Sequence, residues 1–356
     1  MNEKIGIPPM NAKSAQTMKA AFLTGRMQIE VRDIPIPEVP RGGALLRVDS
    51  TGLCGSDINR IRYTTSNEGR VIGHEVAGEI VEVDSGVTLF KPGDKVAVCH
   101  VHIPCGHCVY CKHGTPAMCR QFKESKIIPG GYAQYIALSP DHLAHTVIKI
   151  PENVSFAEAT FVDPIACCFR ALETSGVQPF DRVVVVGAGI MGQIFVQLLR
   201  NLKAETTVVD ISEYRLEKAK SYGANYVLNS NDPGLCDKIL EQTEGVGADV
   251  AILTFLTQDL LDKAMTYVRD GGRFCLFAPP LKDMDLKINF YDLFRREMSM
   301  FGSYSFMLTD METTMKFIST KSVDVQSMIT QHTDLEHMLA TVAALDEKQL
   351  KVIVNP

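Results

Sequence analysis

The sequence predicts an α/β protein with two parts: a barrel-like, mostly antiparallel β domain and a doubly wound parallel-sheet domain. Three observations predict it. From Met18 to about Glu152, short strand-like runs alternate with Pro/Gly turns. From Arg182 to about Phe290, strand patterns alternate with helical ones, which requires a parallel sheet with helical crossovers. Between them the run Val183-Val184-Val185-Val186 has the length and β-branching of a strand buried on both faces. A chain of 356 residues has room for about two such domains.

In order, Ala20-Ala21-Phe22-Leu23, Ile29-Glu30-Val31-Arg32 and Ala44-Leu45-Leu46-Arg47-Val48 read as strands, the last two separated by the turn-rich stretch Pro35 to Gly43. Glu79 to Val83 and Lys95 to Val98 follow, joined through the turn-forming Lys91-Pro92-Gly93-Asp94. Phe156 to Thr174 has a helical pattern and opens the second part. Its strands are expected at 183–186, 206–209, 226–228, 249–253 and 273–277, with Gly271-Gly272 as the turn before the last. After Phe290 come helical patterns at Asp310 to Ile318 and Leu335 to Leu345, then a terminal strand, Leu350 to Val354. This stretch is too short to stand alone and is expected to return to the first domain. The expected division is a flexible leader at 1–17, a catalytic domain at 18–154 and 295–356, and a cofactor domain at 155–294.

Composition narrows the function. Hydrophobic content of 46% and charged content of 22% are those of an ordinary globular enzyme. A net charge of −6 argues against nucleic acid or another polyanion as partner. No apolar run approaches the ~18 residues needed to span a bilayer. The stretch Met1 to Thr17 is polar and proline-containing, without a signal-peptide pattern. Ten cysteines in that setting point to a reducing compartment, so a cytoplasmic location is expected.

The valine run leads into Gly187-Ala188-Gly189-Ile190-Met191-Gly192, a G-x-G-x-x-G turn before a helical pattern at Gln193 to Leu202. Strand, glycine turn and helix N-terminus make a pyrophosphate cradle of the Rossmann type. The next strand, Thr206 to Val209, ends in Asp210, a carboxylate placed to accept both ribose hydroxyls of NAD and to repel the extra phosphate of NADP.

Cys105, Cys108, Cys111 and Cys119 have the spacing C-x2-C-x2-C-x7-C. Four thiolates so placed close a tetrahedron around Zn²⁺ with no open position, the arrangement of a structural site. His107 and His113 interleave them and are read as solvated. Gly52-Leu53-Cys54-Gly55-Ser56-Asp57 and Gly73-His74-Glu75 each mean little alone; beside a cofactor fold and a cysteine lobe they form a second candidate metal site.

With these motifs the chain resembles the zinc-dependent medium-chain alcohol and polyol dehydrogenases, nearest the sorbitol and threonine dehydrogenase branch. The resemblance runs from about Met18 to Pro356. It implies that Cys54 and His74 hold a catalytic zinc, that Ser56 relays the substrate proton, that Asp57 braces the site, and that Glu75 lies beside the metal and exchanges on and off it. It implies two zinc ions per chain, one catalytic and one structural, with NAD bound through Gly187, Gly189, Ile190, Met191, Gly192, Asp210 and Arg215. The third protein ligand departs from the family pattern: where relatives carry Cys, or Glu followed by Pro, this chain has Asp163-Pro164. Asp163 binds directly, or holds a zinc-bound water, or leaves the place to Glu75; Cys167, one turn on, is a fourth option. Asn59 stands where most relatives have a proton-relaying histidine, and is a candidate substrate contact.

The implied chemistry is hydride transfer from an alcohol to the nicotinamide, the metal lowering the pKa of the alcohol oxygen. The polar, cationic segment Arg60 to Asn67 suits a hydroxyl-rich substrate such as a sugar alcohol or cyclitol. L-Threonine oxidised at its secondary hydroxyl, and a sugar phosphate held by Arg60 or Arg62, are the alternatives; a non-catalytic or quinone-reductase-like relative is the rival of a different class. Relatives usually assemble, so a homodimer or homotetramer is expected, and the apolar residues from Phe294 to Phe306 suit either an assembly edge or core.

Overall fold

The computed structural model describes residues 16–66, 69–99, 102–278 and 285–356. The expected leader lies almost wholly outside these, as does Asn67 of the candidate substrate segment.

The first part is built on antiparallel strands. Thr17–Gly25 and Gln28–Pro35 form a hairpin, and Arg70–Val71 pairs with the first of them. A larger sheet has the order Ile329–Asp334, Lys351–Asn355, Ala44–Gly52, Glu75–Val83, Lys95–Val98, Val147–Lys149, with Tyr135–Leu138 also paired to Ala44–Gly52. Among its described strands only the pair Ile329–Asp334 with Lys351–Asn355 is parallel. The C-terminal strand therefore returns to the first part, where its register sets Ile353 opposite Gly52.

The second part is a six-stranded parallel sheet in the order Tyr226–Asn229, Glu205–Asp210, Arg182–Val186, Ala248–Leu253, Val268–Leu276, Ser299–Gly302. The valine run explains its central strand: Val183 and Val185 pack into one core, Val184 and Val186 into the core on the opposite face. On either side of this strand the chain winds outward in opposite directions, and ligands bind outside the carboxyl ends of strands at such a switch point.

Three sequence expectations need correction. Ser299–Gly302 is a strand of the parallel sheet, so this unit runs past the expected boundary at 294/295. Gly271-Gly272 lies inside the strand Val268–Leu276, not before it. There the chain folds so tightly that a Cβ on Gly272 would meet Val268 and the Arg269 carbonyl, and the register against Ala248–Leu253 shifts. The helical pattern at Phe156 to Thr174 is two helices, Phe156–Ala159 and Val162–Ser175. The first is opened by a capping box between Ser155 and Glu158; the second ends at Gly176, whose φ of +61° stops it. Among the described residues no helix is long and apolar enough to cross a membrane.

Candidate active site and cofactor cleft

Two neighbouring strands gather the first cluster. Ala44–Gly52 ends just before Cys54, which caps the helix Gly55–Tyr63, and Glu75 begins the adjacent strand directly opposite Gly52. The donor atoms of Cys54, His74 and Glu75 consequently lie within 4.8 Å of one another. Asp57, fully buried in the first turn of the helix, accepts a hydrogen bond from the Tyr132 hydroxyl at 2.9 Å and faces His74 Nδ1 at 3.4 Å. A carboxylate behind Nδ1 fixes the imidazole and leaves Nε2 for a metal. Burial alone would lift the Asp57 carboxyl, but His74, Tyr132 and Arg60 outweigh it and hold it below the usual range. Burial likewise opposes charge on His74, and Asp57 and Cys54 overcome it, raising its basicity. Ser56 is exposed, with its hydroxyl 3.4 Å from Cys54 Sγ, and Asn59 is exposed on the same helix. A thiolate, an imidazole and carboxylates are the donor set of a zinc site, so these residues fit that metal.

Asp163 lies outside the 4.8 Å set, at the first turn of Val162–Ser175. Burial raises its carboxyl to about 7; Glu75 adds to the rise, while His74, Lys351 and Cys167 oppose it. Its Oδ1 accepts a long contact from Cys167 Sγ at 3.8 Å, so Cys167 faces Asp163, whereas Cys168 is buried and points its thiol to the Met191 carbonyl. One helix thus begins where the charges of His74 and Glu75 act on Asp163, and five residues on it meets Met191 of the glycine turn.

The four-cysteine lobe forms a second cluster, all four sulfurs within 4.8 Å of one another. Cys108 and Cys111 sulfurs are 3.5 Å apart, and the backbone N–H groups of Cys105 and Cys108 point at the sulfurs of Cys119 and Cys105. Burial pushes the Cys119 thiol up, but the N–H groups of Cys105 and Phe122 prevail and bring it to about 6, while burial beside Cys108 drives Cys111 up to about 12. Sulfurs crowded and served by backbone donors in this way suit a tetrahedral cation. His107 and His113 are exposed.

In the cofactor turn, Gly187 adopts φ +97°, a conformation closed to most side chains. Gly189 caps the helix Ile190–Leu202, and a Cβ placed on it would meet no atom within 4 Å, so open space lies over the helix N-terminus. A Cβ on Gly192 would strike the Gly187 carbonyl. Asp210 accepts from the Ala188 N–H at 2.6 Å and the Ser212 N–H at 2.9 Å, which ties the second strand to the turn. Gln193, also buried, donates to the Ala188 and Arg215 carbonyls. Arg215 itself donates from Nε to the Glu347 carbonyl at 2.9 Å, and both line a cavity of about 450 Å³ with Leu53, Ile58 and Arg62. The open helix end and the fixed carboxylate fit a dinucleotide.

Residues 40–152 match the alcohol dehydrogenase GroES-like domain and residues 191–320 the zinc-binding dehydrogenase domain. Over 96% of this chain and 98% of the relative, the sequence is 30% identical to a sorbitol dehydrogenase of Bacillus subtilis (strain 168). The chain belongs to the zinc-dependent medium-chain alcohol and polyol dehydrogenases. Among solved structures it is similar to galactitol-1-phosphate dehydrogenase from Escherichia coli, with a TM-score of 0.84, 25% identity and coverage of 95% of this chain and 100% of that one. A zinc-binding dehydrogenase from Sinorhizobium meliloti 1021 bound to NADP shares the fold, with a TM-score of 0.86 at 23% identity over 96% and 100% of the two chains.

This dehydrogenase has two further residues at its metal-type cluster that the sequence reading missed. Tyr132, fully buried, supplies the donor to Asp57; it follows Gly130-Gly131, and nothing in that stretch marks it. Lys351, 2% exposed, forms an ion pair with Glu75, also 2% exposed, and its ammonium lies 5.5 Å from the centre of the Phe161 ring. A lone lysine in an apolar terminal strand was the available signal.

Proposed function

We propose that this zinc-dependent dehydrogenase moves a hydride between a secondary alcohol of a polyol-like substrate, a sugar alcohol or cyclitol, and NAD. The observation that supports the reading is the helix Val162–Ser175, whose Asp163 feels the charges of His74 and Glu75 and whose Cys168 meets Met191 of the glycine turn. In this reading Cys54, His74 and Asp163 hold the catalytic zinc, and Cys105, Cys108, Cys111 and Cys119 a structural one. When bound, the catalytic metal supplies Lewis acidity to the alcohol oxygen, and the nicotinamide accepts the hydride. Asp57 keeps His74 oriented, and the Ser56 hydroxyl, at the exposed side of Cys54, takes the substrate proton toward water. Asn59 edges the substrate side of the same helix.

Gly187, Gly189, Ile190, Met191 and Gly192 cradle the pyrophosphate, and Arg215 borders the adenosine end. Preference for NAD follows from Asp210: two backbone N–H groups pin the carboxylate, which keeps lone pairs for ribose hydroxyls and has no freedom to swing away from a 2′-phosphate. We assign residues 18–154 and the C-terminal segment to the catalytic domain, and the region from 155 past Gly302 to the cofactor domain. A homodimer or homotetramer is supported by the edge strand Ser299–Gly302 and by Phe290 and Phe294, 76% and 79% exposed on the helix before it. The free cysteines support a cytoplasmic setting.

A sugar phosphate is the second reading. It is favoured by exposed Arg60, whose charge reaches both Asp57 and His102, and by the phosphate in the name of the galactitol-1-phosphate enzyme. Arg62 is less available, since its guanidinium donates to the Val342 carbonyl. The test is metal analysis with a screen of NAD reduction over polyols, cyclitols, their phosphates, threonine and simple secondary alcohols, NADP serving as control. Two zinc ions per chain and NAD-linked oxidation of a polyol support the reading. One zinc per chain, or activity confined to quinones, refutes it.

A further inference from the structure

Glu75 stands among the metal-type donors yet is already bonded to Lys351. The pair owes its meeting to three adjacent strands: Lys351–Asn355, Ala44–Gly52 and Glu75–Val83 lie side by side, with Gly52 opposite Glu75. Gly52 is the gap through which the two side chains touch. A Cβ there would strike Glu75 Oε2 and lie 2.8 Å from Lys351 Cε. Both charges are almost fully removed from water, a state that is costly unless each has a partner.

We propose that Lys351 is a positioning residue that holds Glu75 in reserve, off the metal, so that the shell of Cys54, His74 and Asp163 keeps its open place for substrate. This rests on the reading of those three residues as ligands. Charge favours the division. A divalent cation with one thiolate, one carboxylate and a neutral imidazole is already balanced, and Glu75 and Lys351 balance each other. Remove the lysine charge, and the buried Glu75 carboxylate is left without a counter-ion except the metal within its reach. Glu75 then joins the shell as an added ligand, a fifth beside the three protein donors and the solvent in the open place, and crowds that place against substrate.

The experiment follows release of the Cys54-site metal into excess chelator, together with the visible spectrum of the cobalt-substituted protein. In Lys351→Met, release should slow on the order of tenfold, the lower end of the range over which neighbours of zinc ligands move affinity. The cobalt spectrum should change from the strong absorption of a four-coordinate site to the weaker absorption of a five-coordinate one. Lys351→Arg should behave as the parent, and the double variant Glu75→Gln/Lys351→Met should return release to near the parent rate. A merely structural lysine predicts the opposite sign: a loosened site that loses metal faster. Faster or unchanged release in Lys351→Met, with an unchanged cobalt spectrum, overturns the proposal. Should that variant not fold, the parent cobalt spectrum decides alone, because a five-coordinate parent means Glu75 is already bound and not held off. A parent that retains metal only in the four-cysteine lobe overturns the ligand reading beneath the proposal as well, so the two failures are distinguishable.

Discussion

Replacing Asp163 with asparagine should act in opposite directions on the metal-free and the metal-loaded protein. Without metal, burial lifts the Asp163 carboxyl from 3.8 to about 7, and Glu75 adds to the rise. A folded-state pKa above the unfolded one means that the native protein binds the extra proton between those two values, so its stability falls as pH rises through the window. Below pH ~4 the acid is neutral in both states and costs nothing; above pH ~7 the cost is complete. The gap corresponds to about 4 kcal/mol at the upper plateau. The carboxamide of Asp163→Asn is neutral throughout, so the metal-free variant should gain on the parent progressively between these limits. Urea unfolding of both metal-stripped proteins from pH 4 to 8.5 reads the difference directly, since every other titrating group is common to the two. With metal present the sign reverses. The variant loses an anionic ligand, and catalytic metal content and turnover should fall together, turnover on the order of 100-fold or more. A pH-independent stability difference would show that Asp163 is not a buried acid, and unchanged metal stoichiometry and rate would remove it from the zinc shell.

Three further outcomes are expected. Tyr132→Phe removes the hydroxyl that donates to Asp57 at 2.9 Å and leaves a buried carboxylate short of a partner; it should cost about 1–3 kcal/mol in urea unfolding and weaken metal retention at His74. Gly192→Ala drives a methyl group against the Gly187 carbonyl, and overpacking of about 1–3 kcal/mol should weaken NAD binding by about 10- to 100-fold in calorimetric titration, with both metals retained. Cys111→Ser breaks the lobe shell, so total zinc should drop by one ion per chain, and limited proteolysis should cut first between Cys105 and Cys119, while the Cys54 site keeps its metal.

Much of this was legible because it is written in local pattern. A four-valine run has the length and β-branching of a strand covered on both faces, and its residues do divide between two cores. The C-x2-C-x2-C-x7-C spacing brings its four sulfurs together without help from distant chain, and they meet. What stayed hidden depends on strand order. Nothing near Glu75 in sequence points to Lys351; their meeting requires Gly52 to lie between them in the sheet. Tyr132 reaches Asp57 across 75 positions of chain by the same kind of long-range pairing. Gly271-Gly272 misled because a glycine pair reads as a turn, whereas here it lets one strand bulge against its neighbour. The boundary at 294/295 failed for a related reason: Ser299–Gly302 is too short to announce itself as the edge of a sheet.

The helix Val162–Ser175 connects the metal-type cluster to the cofactor turn. Its first turn presents Asp163 to the cluster, its middle lays Cys168 against Met191 of the glycine turn, and its last turn is fixed where the Gly176 carbonyl accepts from Arg273 at 2.8 Å. A side chain one methylene shorter than glutamate reaches less far, so at this position the helix itself must set the distance between carboxylate and metal. Any tilt that brings Asp163 closer to His74 also moves Cys168 against the glycine turn, because Ile165 and Ala166 between them are fully buried in the packed core. If Asp163 is the third ligand, occupancy of the cofactor cradle and the geometry of that ligand are therefore mechanically linked. Binding of NAD should change the release rate of the Cys54-site metal in the parent, and Cys168→Ala, which loosens the contact with Met191, should reduce that change while both sites remain filled. An NAD effect on metal release that is the same in Cys168→Ala as in the parent would mean that the two sites communicate by some other route.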